Sequence, residues 1–137
     1  MTIDANSETL KVGIVGAGAM GRGIAQVSAT GGMQAMIFDT ADGAAQGAVD
    51  FIGGMIDRAV TKGRMSEADG LASKERLSVA KTLEDFKDCD LVVEAIVENI
   101  DIKRSVFQQI EKVVSKDAII ASNTSSIRIS SIAAACE

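Results

Sequence analysis

Residues 11–23, KVGIVGAGAMGRG, run from a short strand-like segment straight into glycines at 16, 18, 21 and 23. The segment 11–15 has the apolar character of a buried strand. From Ala19 to about Ala29 the spacing becomes helical, with Met20, Ile24 and Val27 on one face, until Gly31 and Gly32 stop it. A glycine-rich turn between strand and helix is either a plain turn or a cradle for a phosphate. GAGAMG at 16–21 satisfies G-x-G-x-x-G, a pattern that carries weight only in the right surroundings.

The surroundings continue in the same style. AMIFD (35–39) is the next expected strand, and a helix is expected from Ala41 to about Lys62, with Ala44, Ala48, Phe51, Met55 and Ala59 inward. Ser66 can cap a further helix, with Asp69 three positions on. RLSVA (76–80) and DLVVEAI (90–96) read as strands. The stretch 100–114 reads as an amphipathic helix with Ile102, Val106 and Ile110 inward. AIIAS (118–122) is the last strand, and a closing helix covers roughly 128–136. Strands alternating with helices imply a parallel, doubly wound α/β sheet of the Rossmann kind. The organisation expected is a loose leader over 1–10 and one dinucleotide-binding domain over 11–137.

Within that fold each loop residue has a task. Gly16 permits the tight turn, Gly18 lets a pyrophosphate approach bare backbone, and Gly21 lets the helix pack closely. The amides of Ala19 and Met20, at the positive end of the helix dipole, face the anion. Asp39 follows Gly21 by 18 positions, at the end of the second strand. A carboxylate there can accept both ribose hydroxyls and repels a 2′-phosphate. Its neighbours Thr40, Ala41 and Asp42 bring no cation, so the pattern favours NAD over NADP. The plainer alternative for Asp39 is an Asx-turn ahead of the helix from Ala41.

Composition narrows the classes. A net charge of −5 without clustered Lys or Arg argues against nucleic acid. No apolar run reaches the ~20 residues of a membrane span, and the polar start MTIDANSETL lacks the regions of a signal peptide. Cys89 and Cys136, 47 positions apart, read as free thiols in a reducing cytoplasm. There is no histidine, so neither a histidine metal site nor a histidine base is available within this chain.

Three segments together, KVGIVGAGAMGRGIAQVSATGG, DLVVEAIVENIDIKRSVFQQIE and AIIASNTSSI, resemble the NAD-binding domain of the L-3-hydroxyacyl-CoA dehydrogenases. VVEAIVEN and SNTSS are the more specific, since Rossmann domains in general lack them. The resemblance implies reversible oxidation of a 3-hydroxyacyl-CoA with hydride transfer to NAD, in cytoplasmic fatty-acid β-oxidation by a homodimer. It places nucleotide contacts on the glycine loop, Asp39, Glu98, Lys103 and Ser125, with Ser125 also hydrogen-bonding the reacting oxygen. It places a CoA contact on Lys62, while a family serine on the same helix is Met55 here. Each has a plainer alternative: a first-turn helix acid for Glu98, a solvated charge for Lys103, a capping hydroxyl for Ser125, a dipole-favoured C-terminal lysine for Lys62. The family's base is a histidine after the closing helix, which implies that this chain binds cofactor without turnover. A stand-alone NAD(H)-sensing module and an NADP-dependent β-hydroxyacid dehydrogenase domain are the competing readings.

Overall fold

A computed structural model describes residues 3–137; Met1 and Thr2 of the expected leader lie outside the described residues. The elements in chain order are β1 (Lys11–Val15), α1 (Ala19–Thr30), β2 (Gln34–Phe38), α2 (Ala44–Thr61), α3 (Glu67–Glu75), β3 (Leu77–Val79), β4 (Leu91–Glu94), α4 (Ile100–Glu111), β5 (Ile119–Ser122) and α5 (Ile129–Ala133). The five strands form one parallel sheet in the order β3-β2-β1-β4-β5. The chain order reverses direction beside β1, and the β1 and β4 carboxyl ends flank that switch point, where open α/β sheets bind ligands.

Apolar side chains cover both sheet faces. Val12, Ile14, Ala35 and Ile37 meet Ala25, Ala29, Ile52 and Ile56 from α1 and α2. Val15 and Val92 meet Phe86, Cys89 and Ile110 on the other side. Phe86 comes from a 3-10 helix, Leu83–Asp88, that the periodicity of the sequence does not announce. Its ring lies 3.0 Å from where a Cβ at Gly13 would stand, so a glycine in β1 makes room for it.

Three helices depart in part from the expected inward face. In α1 the buried residues are Gly21, Ala25, Ser28 and Ala29, while Met20 and Val27 are 58% and 72% exposed. Small residues lie where the helix comes closest to the sheet; Ile24 packs half-buried against the core as expected, and Met20 and Val27 turn outward. Helix α2 starts at Ala44 rather than Ala41, after a turn through Gly43 at φ 73°. It buries Ala48 as predicted, while Ala45, Ile52 and Ile56 take the inward places one position on from the predicted Ala44, Phe51 and Met55, and Ala59 is half-buried. Phe51 instead lies outside under the Arg22 guanidinium, 3.9 Å from the ring centroid, a cation–π contact that covers part of its surface. In α4, Ile110 is buried as expected, but Ile102 is exposed and Lys103 and Phe107 take the inward positions. The Ser66 cap forms as predicted, accepting from Asp69 N at 3.0 Å.

Candidate dinucleotide site

Helix α1 begins at the carboxyl end of β1 with Gly18 as N-cap, no side-chain cap and no acid in its first turn. Among the described residues nothing accepts from the amides of Gly18, Ala19 and Met20. A helix start with open amides and no competing carboxylate is suited to an anion. Gly16 turns at φ +113°, and a Cβ there would stand 2.4 Å from Ala95 O. At Gly21 a Cβ would stand 1.8 Å from Gly16 O, so the loop closes on its own helix only with glycine present. A Cβ at Gly18 would meet nothing within 4 Å; the space is open on the side an anion would occupy. These residues fit a dinucleotide's pyrophosphate.

Asp39, half-buried at the end of β2, accepts from Ala17 N through Oδ2 and from Ala41 N through Oδ1, both at 2.8 Å. The second bond is the Asx-turn foreseen as its plain role. The first, between strand end and glycine loop, has no signal in the sequence. Each oxygen keeps a further lone pair for a ribose hydroxyl. Beside it opens a cavity of about 520 Å³, lined by Gly16, Gly18, Asp39, Leu83, Ile96 and Val106 among others. Its polar edge at Asp39 and apolar walls suit a nucleoside.

Across the switch point, β4 ends in Glu94, which is completely buried, as is Lys103 of α4. Lys103 Nζ lies 2.5 Å from Glu94 Oε2 and 3.2 Å from Glu98 Oε1. Glu94 also accepts from Ile96 N at 2.8 Å and from Ser122 Oγ at 2.6 Å. The solvated-charge alternative for Lys103 therefore fails. Glu98 is not a first-turn helix acid either: Asn99 caps α4, taking Asp101 N and Ile102 N, and Asp101 is the acid of that turn. Lying before the cap frees Glu98 from helical spacing, so an ion pair five positions long can form. Glu98 accepts in addition from Thr124 Oγ1 and Ser126 Oγ, both at 2.7 Å. Those hydroxyls, and after them Lys103, hold its carboxyl below the usual carboxylate range.

Thr124 Oγ1 also takes the amide of Ile127 at 3.0 Å, the local turn expected of a capping hydroxyl. Ser125 between them is exposed, and among the described residues nothing bonds its hydroxyl. Lys62 is exposed as the C-cap of α2, and Met55 accepts weakly from Arg58 at 3.7 Å. Glu94 and Ser122 are the residues that sequence reasoning missed; a glutamate inside an apolar strand run was the available signal. Cys89 and Cys136 are free, and among the described residues no group of three His, Cys, Asp or Glu could hold a metal. No described helix is long and apolar enough to cross a membrane.

A glycine loop opening an uncapped helix, with an acid at the end of the adjacent parallel strand, defines a dinucleotide-binding α/β domain. The chain belongs to the 3-hydroxyacyl-CoA dehydrogenase family, whose NAD binding domain matches residues 11–137, and its cofactor is NAD. It is 39% identical over 127 residues to a 3-hydroxybutyryl-CoA dehydrogenase of Bradyrhizobium diazoefficiens, covering 93% of this chain and 43% of that protein. A Mycobacterium tuberculosis 3-hydroxybutyryl-CoA dehydrogenase is 40% identical over 126 residues, covering 91% of this chain and 44% of the relative. The crystal structure of (S)-3-hydroxybutyryl-CoA dehydrogenase from Ralstonia eutropha superposes with a TM-score of 0.88 at 40% identity, covering 94% of this chain and 46% of that one. The chain thus spans less than half the length of these relatives.

Proposed function

We propose that residues 11–137 are the cofactor-holding part of an enzyme that interconverts 3-hydroxyacyl-CoA and 3-ketoacyl-CoA. The carrying observation is the pairing of open amides at the start of α1 with the Asp39 carboxylate across one cavity. NAD supplies the hydride acceptor. The amides of Gly18, Ala19 and Met20 hold the negative pyrophosphate, and Gly16 and Gly21 keep the loop closed around it. Asp39 accepts ribose hydroxyls and repels a 2′-phosphate. Glu98 borders the nucleotide on the opposite side, where Lys103 fastens it. The unbonded hydroxyl of Ser125 donates to the reacting oxygen, and Lys62 meets the CoA phosphates.

The resemblance assigns proton transfer to a histidine, and this chain contains none. The 137 residues therefore bind cofactor without turning substrate over. The relatives' names support a short-chain acyl-CoA substrate, and a cytoplasmic homodimer is the setting we infer for the whole enzyme.

Calorimetry with NADH and NADPH tests the reading. NADH is expected to bind more tightly, and tighter NADPH would overturn the role of Asp39. Acetoacetyl-CoA reduction by the 137-residue chain at the rate of an intact dehydrogenase would overturn the expectation of no turnover.

A further inference from the structure

Burying an ion pair rarely adds net stability, since desolvation offsets the attraction, and apolar replacements are often neutral or better. The Glu94–Lys103 pair, with side chains 0% and 1% exposed, is therefore poorly explained as a stabiliser. Its connections suggest another task. Glu94 binds three pieces of chain: Ile96 N in the turn after β4, Lys103 in α4, and the end of β5, where it accepts from Ser122 Oγ and, through its own carbonyl, from Asn123 N at 2.8 Å. Lys103 carries the connection on to Glu98, and Glu98 to Thr124 and Ser126, the residues on either side of Ser125.

The donors of Lys103 can be counted. An ammonium has three protons. They face Glu94 Oε2 at 2.5 Å, Ile96 O at 3.4 Å and Glu98 Oε1 at 3.2 Å. The side chain is closed to solvent.

We propose that Glu94 and Lys103 are positioning residues, a buried pair that acts through Glu98 to hold the 122–126 loop and its Ser125 hydroxyl at the cofactor end of the sheet. The proposal rests on the reading that NAD lies at this end, but the clamp itself can be measured in the cofactor-free chain.

The test is amide hydrogen exchange on the 137-residue chain without cofactor, followed by NADH calorimetry. In Glu94→Gln the amides of Thr124 and Ile127 are expected to exchange at least about tenfold faster relative to those of Ala35 and Ala80, which bond across the far strands. NADH affinity is expected to fall about tenfold, the scale of one lost charge-assisted bond. A purely structural role would raise exchange in loop and far strands alike, and that result overturns the proposal. Unchanged NADH affinity in a loosened loop overturns it too. If Glu94→Gln does not fold, Glu98→Gln on the exposed side of the network replaces it. There Thr124 and Ile127 should loosen while Asn123, bonded to Glu94's backbone, stays protected; no selective change is again a negative result. Failure of the unsubstituted chain to bind NADH would sink the function proposed above, and the exchange pattern would still judge the clamp.

Discussion

The Asp39 carboxylate reaches back 22 residues to the amide of Ala17 at 2.8 Å, so the acid we propose to face the ribose also holds the glycine loop in place. Position and recognition are joined in one side chain. Its removal therefore has two separable consequences.

Asp39→Ala strips acceptors from Ala17 N and Ala41 N and is expected to cost about 1–3 kcal/mol of stability. NADH affinity should fall further than the unfolded fraction accounts for, and the preference over NADPH should narrow. Urea denaturation and calorimetry on the same protein separate the two; a stable variant with undiminished NADH binding would contradict the assignment.

The two glycines of the loop should part company. Gly21→Ala forces a Cβ to 1.8 Å from Gly16 O, and a loss of roughly 3 kcal/mol or more is expected from overpacking against backbone. At Gly18 an added Cβ meets no protein atom, so Gly18→Ala should melt like the parent yet bind NADH poorly. Thermal melts beside NADH titrations would reveal the contrast.

Lys103→Met leaves Glu94 buried with its charge uncompensated, and about 3–5 kcal/mol is the expected loss. Combining it with Glu94→Gln removes the orphaned charge and should return most of that stability. A double variant no more stable than the single one, in urea melts, would show that charge is not what the site balances.

Glu98 gives the pH dependence a sign. Its carboxyl is held low by Thr124 and Ser126, then Lys103, so the folded state favours the charged form. The stability this contributes is complete above the ordinary glutamate range and is lost as pH falls through that range to the lower folded value. Glu98→Gln should flatten that part of the acid limb when denaturation midpoints are followed from pH 7 to pH 3. Equal slopes in variant and parent would count against the clamp.

Burial pushes the Cys89 thiol up to about 11. At pH 8 it should remain unreactive to iodoacetamide in the folded chain and react on unfolding, as peptide mapping would show.

The alternation of strand and helix, the glycine loop and its acid were all legible in the chain, because each is a local matter. Strand-forming runs, backbone without Cβ, and an acid at fixed distance from the loop depend on residues near in sequence. The Ser66 cap belongs with them. Which face each helix turned inward was not local. Helix α1 buries Gly21 and Ala25 rather than Met20 and Val27 because it comes closest to the strand end at Gly21, where no Cβ fits. Phe51 lies outside the predicted stripe, where Arg22, 29 positions away, stacks on it, while Ile52 and Ile56 face the core.

The same holds at the site. VVEAIVEN and SNTSS were recognisable as motifs, but not how they join. Glu94 and Ser122 meet because β4 and β5 pair in a register that sets them opposite each other, Glu94 beside Ser122. Lys103, a nucleotide contact by resemblance and a solvated charge in the plainer alternative, becomes a fully buried ammonium only when α4 packs over the end of that pair. Local chemistry determined which groups were available for a dinucleotide. Only strand register and helix packing, set by which surfaces fit together out of water, decided which of those groups stand open at the end of the sheet and which are buried in contact with one another.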